Sequence, residues 1–472
     1  MADIEPLAAA LSRAGHKKIS IFHSNLTAKE QFVTWGKARN DEISLMVGTR
    51  GAIFLPFFKL NSILVDNEQD ENHKHWDQAP RYQAKDVALE LARLHSAQLH
   101  FMSYSPSFES YYKVYKKIYT LCSEASPITR QSQWLKRKPE IALPRTIDLR
   151  DERRAKNYSL FSAAAMDAVS AAEEDVFLFI NRLGFATSVG CHDCGFILNC
   201  QNCKLPMVYH DSDRQLHCHY CKKMMGMIAL CPKCESSAVQ LRGAGTELVE
   251  KETRRLLANN PTHDIIRIDR DSSSLSPRTG KPAVIIGTEM AMPHIRWGHT
   301  SVIIFLDMDK QLGLPEYSAI ESAWHTLQRV EYHRRQNSVL LLQTFHPEHP
   351  LFRSLIEPDR IYRTELSARK SLLYPPYTYI TRYLYGHASP QLAEREATLG
   401  YGTLQRMLTD AQSKAILLYP IETQPKFFRG KYWYTLVTKL PTDSWREILP
   451  KLNLAMPDLW KIDPNPINIL QP

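Results

Sequence analysis

Eight of the nine cysteines fall in four Cys-x-x-Cys pairs within one short stretch: Cys191/Cys194, Cys200/Cys203, Cys218/Cys221 and Cys231/Cys234. A two-residue spacer lets both thiolates of a pair face one ion about 2.3 Å away, and two such knuckles complete a tetrahedron. Four pairs therefore predict two closed structural zinc sites. A disulfide framework fits poorly with a chain that shows no secretion signal, and a redox Cys-x-x-Cys normally occurs once. An iron–sulfur cluster is the main competing metal reading. His192, His210, His217 and His219 share the stretch; with eight thiolates available they are expected at the surface or behind the ligands. Cys122 stands apart and reads as a small buried hydrophobe. Closed Cys₄ sites have no open coordination position, so the module is expected to hold shape and not to catalyse.

Basic residues interleaved with aromatics are the second chemistry-bearing pattern, because they can neutralise phosphates and stack on exposed bases. In Tyr111–Tyr119, read as a helix, Tyr112, Tyr115 and Tyr119 share one face while Lys113, Lys116 and Lys117 cluster on another. Core packing with a solvated lysine face is the competing reading, and the favoured one. Trp134-Leu135-Lys136-Arg137-Lys138-Pro139 reads as a basic linker, solvated and not specific. In Lys426–Tyr434, Arg429 and Lys431 flank Gly430, so both could project from a turn toward a phosphate. Tyr432 and Tyr434 alternate onto one side of the strand, where core burial is the dull alternative. This stretch is the preferred DNA-contact candidate. Nothing in it resembles a base-reading motif, so binding should follow structure and salt, not sequence.

These residues need a scaffold. A chain of 472 residues with 44% hydrophobic and 23% charged residues is expected to make about three soluble domains. Its net charge of +9 permits attraction to a polyanion without demanding it. The N-terminus lacks a secretory signal and no apolar run approaches a membrane span, so a cytoplasmic location is expected. Val176–Ile180, Ala283–Ile286, Val302–Leu306 and Ser338–Leu342 are short apolar runs alternating with helical segments such as Leu248–Leu257. That pattern predicts a parallel α/β layer covered by helices, with the cysteine module inserted into it.

Several blocks along the chain, in order, resemble the primosomal protein N-prime family of replication-restart helicases. They include Val47–Phe57 with its Gly-Thr-Arg, Arg81–Asp86, Ser105–Ser110, the eight-cysteine module, Gly243–Glu247, Arg267–Asp271, Gly287–Met290 and Thr344–Pro350. The resemblance implies an α/β fold with RecA-like helicase lobes, the first incomplete, an inserted two-zinc module and a small C-terminal α+β domain. The expected division is 1–125 for partial lobe one, 126–150 linker, 151–190 and 235–370 lobe two, 191–234 zinc insertion and 371–472 C-terminal domain. The resemblance also implies interleaved zinc pairing, Cys191/Cys194 with Cys231/Cys234 and Cys200/Cys203 with Cys218/Cys221. Spacing alone leaves sequential pairing open.

The family motor requires a Gly-x-x-x-x-Gly-Lys-Ser/Thr loop to cradle phosphates, and the sequence holds none. It reads as starting inside lobe one, beyond that loop and beyond the family's N-terminal DNA-end-binding and winged-helix domains. The family's Asp-Glu-x-His block aligns with Asp66, Asn67, Glu68 and Gln69, and an Asn cannot take a proton from water as a carboxylate can. The arginine-finger block near Gln328–Arg335 has lost its glycines; Arg334 or Arg335 is left as a phosphate binder or as part of a solvated basic turn. The resemblance thus implies a DNA-binding restart protein that recognises stalled forks or helps load the replicative helicase, without helicase activity and without ATP. Its implied partners are forked or single-stranded DNA, primosome and helicase-loading proteins, and single-stranded DNA-binding protein. The alternatives are an ATP-dependent helicase active only with a separately supplied phosphate-loop half, and a zinc-dependent protein-interaction scaffold.

Overall fold

The structure, a computed structural model, describes the chain apart from residues 1–3, 77, 124–125, 128–141, 181–187, 192–195, 197, 202–206, 211–213, 218–222, 238, 243–245, 259–261, 270–278, 313–315, 411–413 and 472. The expected basic linker, 134–139, lies outside the described residues, as do Cys194, Cys203, Cys218, Cys221, His192 and His219. The chain forms two units: Met1–Ser107 with Asp463–Ile467, and Phe108–Ile462 with Asn468–Pro472. Among the described residues no helix is long and apolar enough to cross a membrane.

The first unit runs α1 (Ile4–Arg13), β1 (Ile19–Phe22), α2 (Ala28–Arg39), β2 (Leu45–Gly48), β3 (Ser62–Val65), α3 (Ala84–His95) and β4 (Gln98–Phe101). β1 pairs in parallel with β2, and β3 in parallel with β4. A capping box between Thr27 and Glu30 starts α2 by satisfying amides at its N-terminus. Ala84, Ala88 and Ala92 recur every four residues and form the buried stripe of α3, small enough for close approach to β3 and β4. Gly48 ends β2 where a Cβ would stand 2.5 Å from Ala52 Cβ and 2.7 Å from the Phe22 carbonyl oxygen. Lys74 is wholly buried, with Nζ 2.9 Å from Asp463 Oδ1. Burial pushes the Lys74 ammonium down in pKa, against the pull of Asp463.

The second unit opens with α4 (Phe108–Tyr115) and continues through β5 (Arg145–Asp148), α5 (Ala163–Ser170) and β6 (Asp175–Phe179). The cysteine module follows as β7 (Ser188–Cys191), β8 (Val208–His210), β9 (Gln215–His217), β10 (Met224–Gly226) and β11 (Val239–Arg242). Then come α6 (Thr246–Leu256), β12 (Asp264–Ile268), β13 (Ala283–Gly287), β14 (Thr300–Phe305), α7 (Ala319–His333), β15 (Val339–Thr344) and α8 (Asp359–Leu372). The last part is β16 (Thr378–His387), α9 (Pro390–Asp410), β17 (Ile416–Phe428), β18 (Lys431–Pro441) and α10 (Trp445–Ala455).

Six strands make one parallel sheet in the order β12-β13-β6-β14-β15-β5. Alternation along each strand divides its side chains between two cores. Phe177, Phe179, Ile285, Ile303, Phe305 and Leu342 face Trp324 of α7 and Tyr362 of α8. Val176, Leu178, Val284, Ile286 and Ile304 face α5 and α6 through Val169 and Val249. Burial on both faces explains why these strands read as unbroken apolar runs. β5, assigned from sequence to the linker, is the edge strand here. α4 packs in this unit too, because Phe108 and Tyr111 insert into its core beside Tyr362; the sequence reading had kept it with lobe one.

The module's strands form an antiparallel sheet, β10-β9-β8-β7-β11, inserted between β6 and α6 around Val189, Leu198, Cys200, Met207 and Leu216. In the C-terminal part, antiparallel β17, β18 and β16 carry α9 and α10 over a core that includes Tyr383, Leu404, Leu436 and Leu452. The chain thus has the α/β class expected from its sequence, with the Cys-rich insertion and a C-terminal α+β part.

Candidate metal centre and nucleic-acid interface

Strand pairing brings the first and last cysteine knuckles together. Cys191 ends β7 opposite Val239 of β11, while Cys231-Pro232-Lys233-Cys234 forms the tight turn just ahead of β11. The thiols of Cys191, Cys231 and Cys234 lie within 4.8 Å of one another, with Cys191 and Cys234 3.6 Å apart. Ligands about 2.3 Å from a tetrahedral centre sit about 3.8 Å from each other, so the three sulfurs have the spacing of a zinc site. Backbone hydrogen bonds set the turn: Glu235 N donates to Cys231 O at 2.8 Å and Cys231 N to Ser236 O at 2.9 Å. Lys233 N donates to Cys231 Sγ at 3.4 Å, which fixes the sulfur within the turn. Cys191 and Cys231 are buried and Cys234 is exposed. Cys200, also buried, packs in the module's small core; its expected companions Cys203, Cys218 and Cys221, and Cys194 beside Cys191, lie outside the described residues. Cys122 is exposed, contrary to its expected burial, because it sits on a two-residue ladder beyond α4.

The Asp66–Gln69 block folds inward. Asn67 adopts a left-handed backbone, φ 47°, which turns the chain at the end of β3 and carries Glu68 into the interior at 1% exposure. There Glu68 accepts from Ser107 N at 2.6 Å, Ser107 Oγ at 3.0 Å and Lys85 Nζ at 2.9 Å. Burial opposes its charge, but Lys85 and Ser107 together hold the carboxyl below its ordinary range. Gln69 accepts from Ser103 Oγ at 2.6 Å and Asn67 donates to Asp66 Oδ2 at 3.1 Å. His73 Nε2 reaches the Asp66 and Asn67 carbonyls at 3.0 and 3.1 Å. All four side chains are held near β3, and Glu68 is tied up as an internal anchor.

Of the two arginines of the former finger block, Arg334 is buried and Arg335 is half-buried. Arg334 is 3% exposed and donates to the Ser338 carbonyl at 2.9 Å, the Ala142 carbonyl at 2.5 Å and Glu331 at 3.0 Å. Arg335 pairs with Glu174 and is within 3.5 Å of the Gly298 carbonyl. Of the two readings made from sequence, phosphate binding and a solvated turn, the second does not describe Arg334, which is buried, and Arg335 is engaged with Glu174. Their signal in the sequence is the nearby Glu331 and the polar Glu174 preceding β6.

The basic stretches fare differently. Arg429 and Gly430, at φ 50° and 78°, form the two-residue turn joining β17 to β18, the geometry that matches strand twist. Both Arg429 and Lys431 are exposed at this tip. Arg429 lies 5.1 Å over Phe428, and Lys431 and Lys461 lie 6.0 and 4.4 Å over Trp433. Trp433 is fixed by its indole N–H donating to the Phe428 carbonyl at 2.9 Å. Tyr434 is core, donating to Glu422 at 3.1 Å, so the dull reading holds for that residue. Near α4 the expected helix through Tyr119 stops at Tyr115, since Lys117 is left-handed at φ 58°. Lys113 is half-buried and donates to Tyr119 OH at 3.2 Å, Lys116 lies 5.6 Å over Tyr112, and Lys116 and Lys117 are exposed.

Residues 200–223 match the family model for the PriA DNA helicase Cys-rich region domain. The replication restart protein PriA of Bacillus subtilis is 30% identical over 388 residues, 78% of this chain and 47% of that protein. The PriA of Thermotoga maritima is 27% identical over 456 residues, 93% of this chain and 58% of that protein. The chain therefore spans about half the length of the curated relatives it matches. A solved structure of the Mycobacterium smegmatis helicase Lhr bound to ssDNA and AMP-PNP aligns with TM-score 0.31 and 12% identity, over 77% of this chain and 39% of that one, too slight a likeness to argue from. By its Cys-rich region and by its similarity to restart proteins over most of its length, this chain belongs to the family of PriA replication restart proteins.

Proposed function

We propose that the chain is a DNA-binding replication-restart, or primosome, protein that engages forked or single-stranded DNA and helps load the replicative helicase without unwinding DNA itself. The carrying observation is the restart-family relationship along most of the chain. Burial of Glu68 against Lys85 and Ser107 supports the absence of a motor, since a base must reach its substrate's proton. Arg429 and Lys431 at the β17–β18 tip are the leading DNA contacts, with Lys116 and Lys117 second and Lys113 in a supporting place. Two zinc ions would be held by Cys191, Cys194, Cys231 and Cys234, and by Cys200, Cys203, Cys218 and Cys221. Bound zinc would offset two of the four thiolate charges at each site and fix the module as a platform for helicase-loading proteins or single-stranded DNA-binding protein. The place of action is the cytoplasm.

Fluorescence anisotropy with forked, single-stranded and duplex DNA, on a sample whose zinc content is measured, tests this reading. Binding to the fork at low salt by protein carrying two zinc ions is expected. Zinc-loaded protein that binds none of the three DNAs would sink it in favour of a protein-interaction scaffold.

A further inference from the structure

α4 ends in a closed cap that leaves an aromatic ring and two lysines at the surface. Lys117 takes a left-handed conformation, φ 58°. Its amide donates to the Val114 carbonyl at 2.9 Å, and the Ile118 amide donates to the Lys113 carbonyl at 2.8 Å. That pair of hydrogen bonds closes the helix C-terminus, so the last turn is tied down although the chain reverses there. Two tyrosines one turn back hold it to the rest of the unit. Tyr111 stacks on Tyr362 at 4.2 Å and donates to Asp359 at 3.1 Å, and Tyr112 meets Tyr377 edge-on at 5.0 Å.

The following turn is left in water. Tyr115 is 64% exposed and Ile118 66%, with Lys116 and Lys117 exposed beside them. Lys116 lies 5.6 Å over the Tyr112 ring, and neither lysine is in an ion pair among the described residues. Core packing, the reading favoured from sequence for this face, therefore holds for Tyr112 and fails for Tyr115. Lysines at a helix C-terminus offset its dipole, which accounts for their charge but not for the exposed ring and the exposed isoleucine next to them. A ring in solvent flanked by lysines is what single-stranded nucleic acid needs, because bases stack on the aromatic while the cations neutralise phosphates. In a duplex the bases are stacked on one another and paired, so only an unpaired strand can use the ring.

We propose that the end of α4 is a site for an unpaired DNA strand: a base stacks on Tyr115, Ile118 extends the apolar surface beside it, and Lys116 and Lys117 hold the flanking phosphates. Every base has a face to stack, so the site takes single strands without regard to sequence. The β17–β18 tip differs in kind. The ring beneath its lysines, Trp433, is buried, so Arg429 and Lys431 meet the phosphates of paired and unpaired strands alike. This inference rests on the DNA-binding reading and adds the strand state that one of its contacts requires.

The test measures anisotropy of a labelled oligothymidylate and of a blunt duplex of equal length with the full, zinc-loaded chain. Tyr115→Ala, at an exposed side chain, should melt as the wild type does and lower the ratio of oligothymidylate to duplex affinity about tenfold. Tyr115→Phe keeps the ring and should hold that ratio within about twofold. Lys116→Ala/Lys117→Ala should reduce the log–log salt slope on oligothymidylate by about 1.4, the share of two phosphates on a single strand. A ratio that Tyr115→Ala leaves unchanged, a ratio that Tyr115→Phe lowers as far as Tyr115→Ala does, or a slope that the lysine variant leaves unchanged overturns the proposal. If the wild type binds the duplex or a fork when one of these results is found, the DNA-binding reading stands and this site alone is lost; wild type that binds no DNA removes both.

Discussion

A carboxylate that accepts three internal hydrogen bonds, as Glu68 does from Ser107 and Lys85, contributes to folding and not to proton transfer. Glu68→Gln should cost about 3 kcal/mol, because it removes the buried carboxylate charge that pairs with the Lys85 ammonium; urea unfolding at neutral pH measures this. The folded pKa of Glu68 lies below its unfolded value of about 4.3. Its stabilisation is therefore fully present above pH 4.3 or so, and is lost as pH falls through the lower folded value. The wild type should lose more stability than Glu68→Gln over that interval. At the cysteines, Cys231→Ser removes one of three converging sulfurs and should reduce the zinc content by one ion per chain, read by metal analysis. The cysteine spacing was legible because ligand chemistry acts over a few residues. The fates of Glu68, Arg334 and Arg335 were not, because their partners Ser107, Ala142 and Glu174 are distant in sequence.

Strands of the parallel sheet were visible as apolar runs, since burial on both faces removes polar alternation. The end of α4 was not: Tyr112, Tyr115 and Tyr119 keep helical spacing, but Lys117 turns left-handed and Tyr119 leaves the helix to accept from Lys113. β5 went unread because a four-residue edge strand, Arg-Thr-Ile-Asp, carries little apolar signal. Gly287 shows how an element's end can be set by a single missing methyl. Gly287→Ala would place its Cβ 2.5 Å from Ala291 Cβ, and should destabilise by about 1–3 kcal/mol, seen as a lower midpoint in thermal unfolding.

At the scale of the whole molecule, the two units differ in completeness. The second buries a six-stranded sheet between two helical layers, while the first, among the described residues, has two two-stranded sheets, and pairs of strands are marginal without further cover. Calorimetry of the full chain should show the first unit melting earlier; a single transition would contradict that ordering. The sequence resolved the class of fold and the insertion point of the module, but the order of the strands depends on pairing between segments far apart in the chain. Under the proposed function the chain binds DNA through exposed basic side chains. Its most direct test is anisotropy on forked DNA across a salt series, comparing wild type with Arg429→Ala/Lys431→Ala. Binding that weakens with salt, with a log–log slope smaller by about 2 in the double variant, is the predicted result. Absence of binding at low salt, or a slope the double variant leaves unchanged, would contradict it.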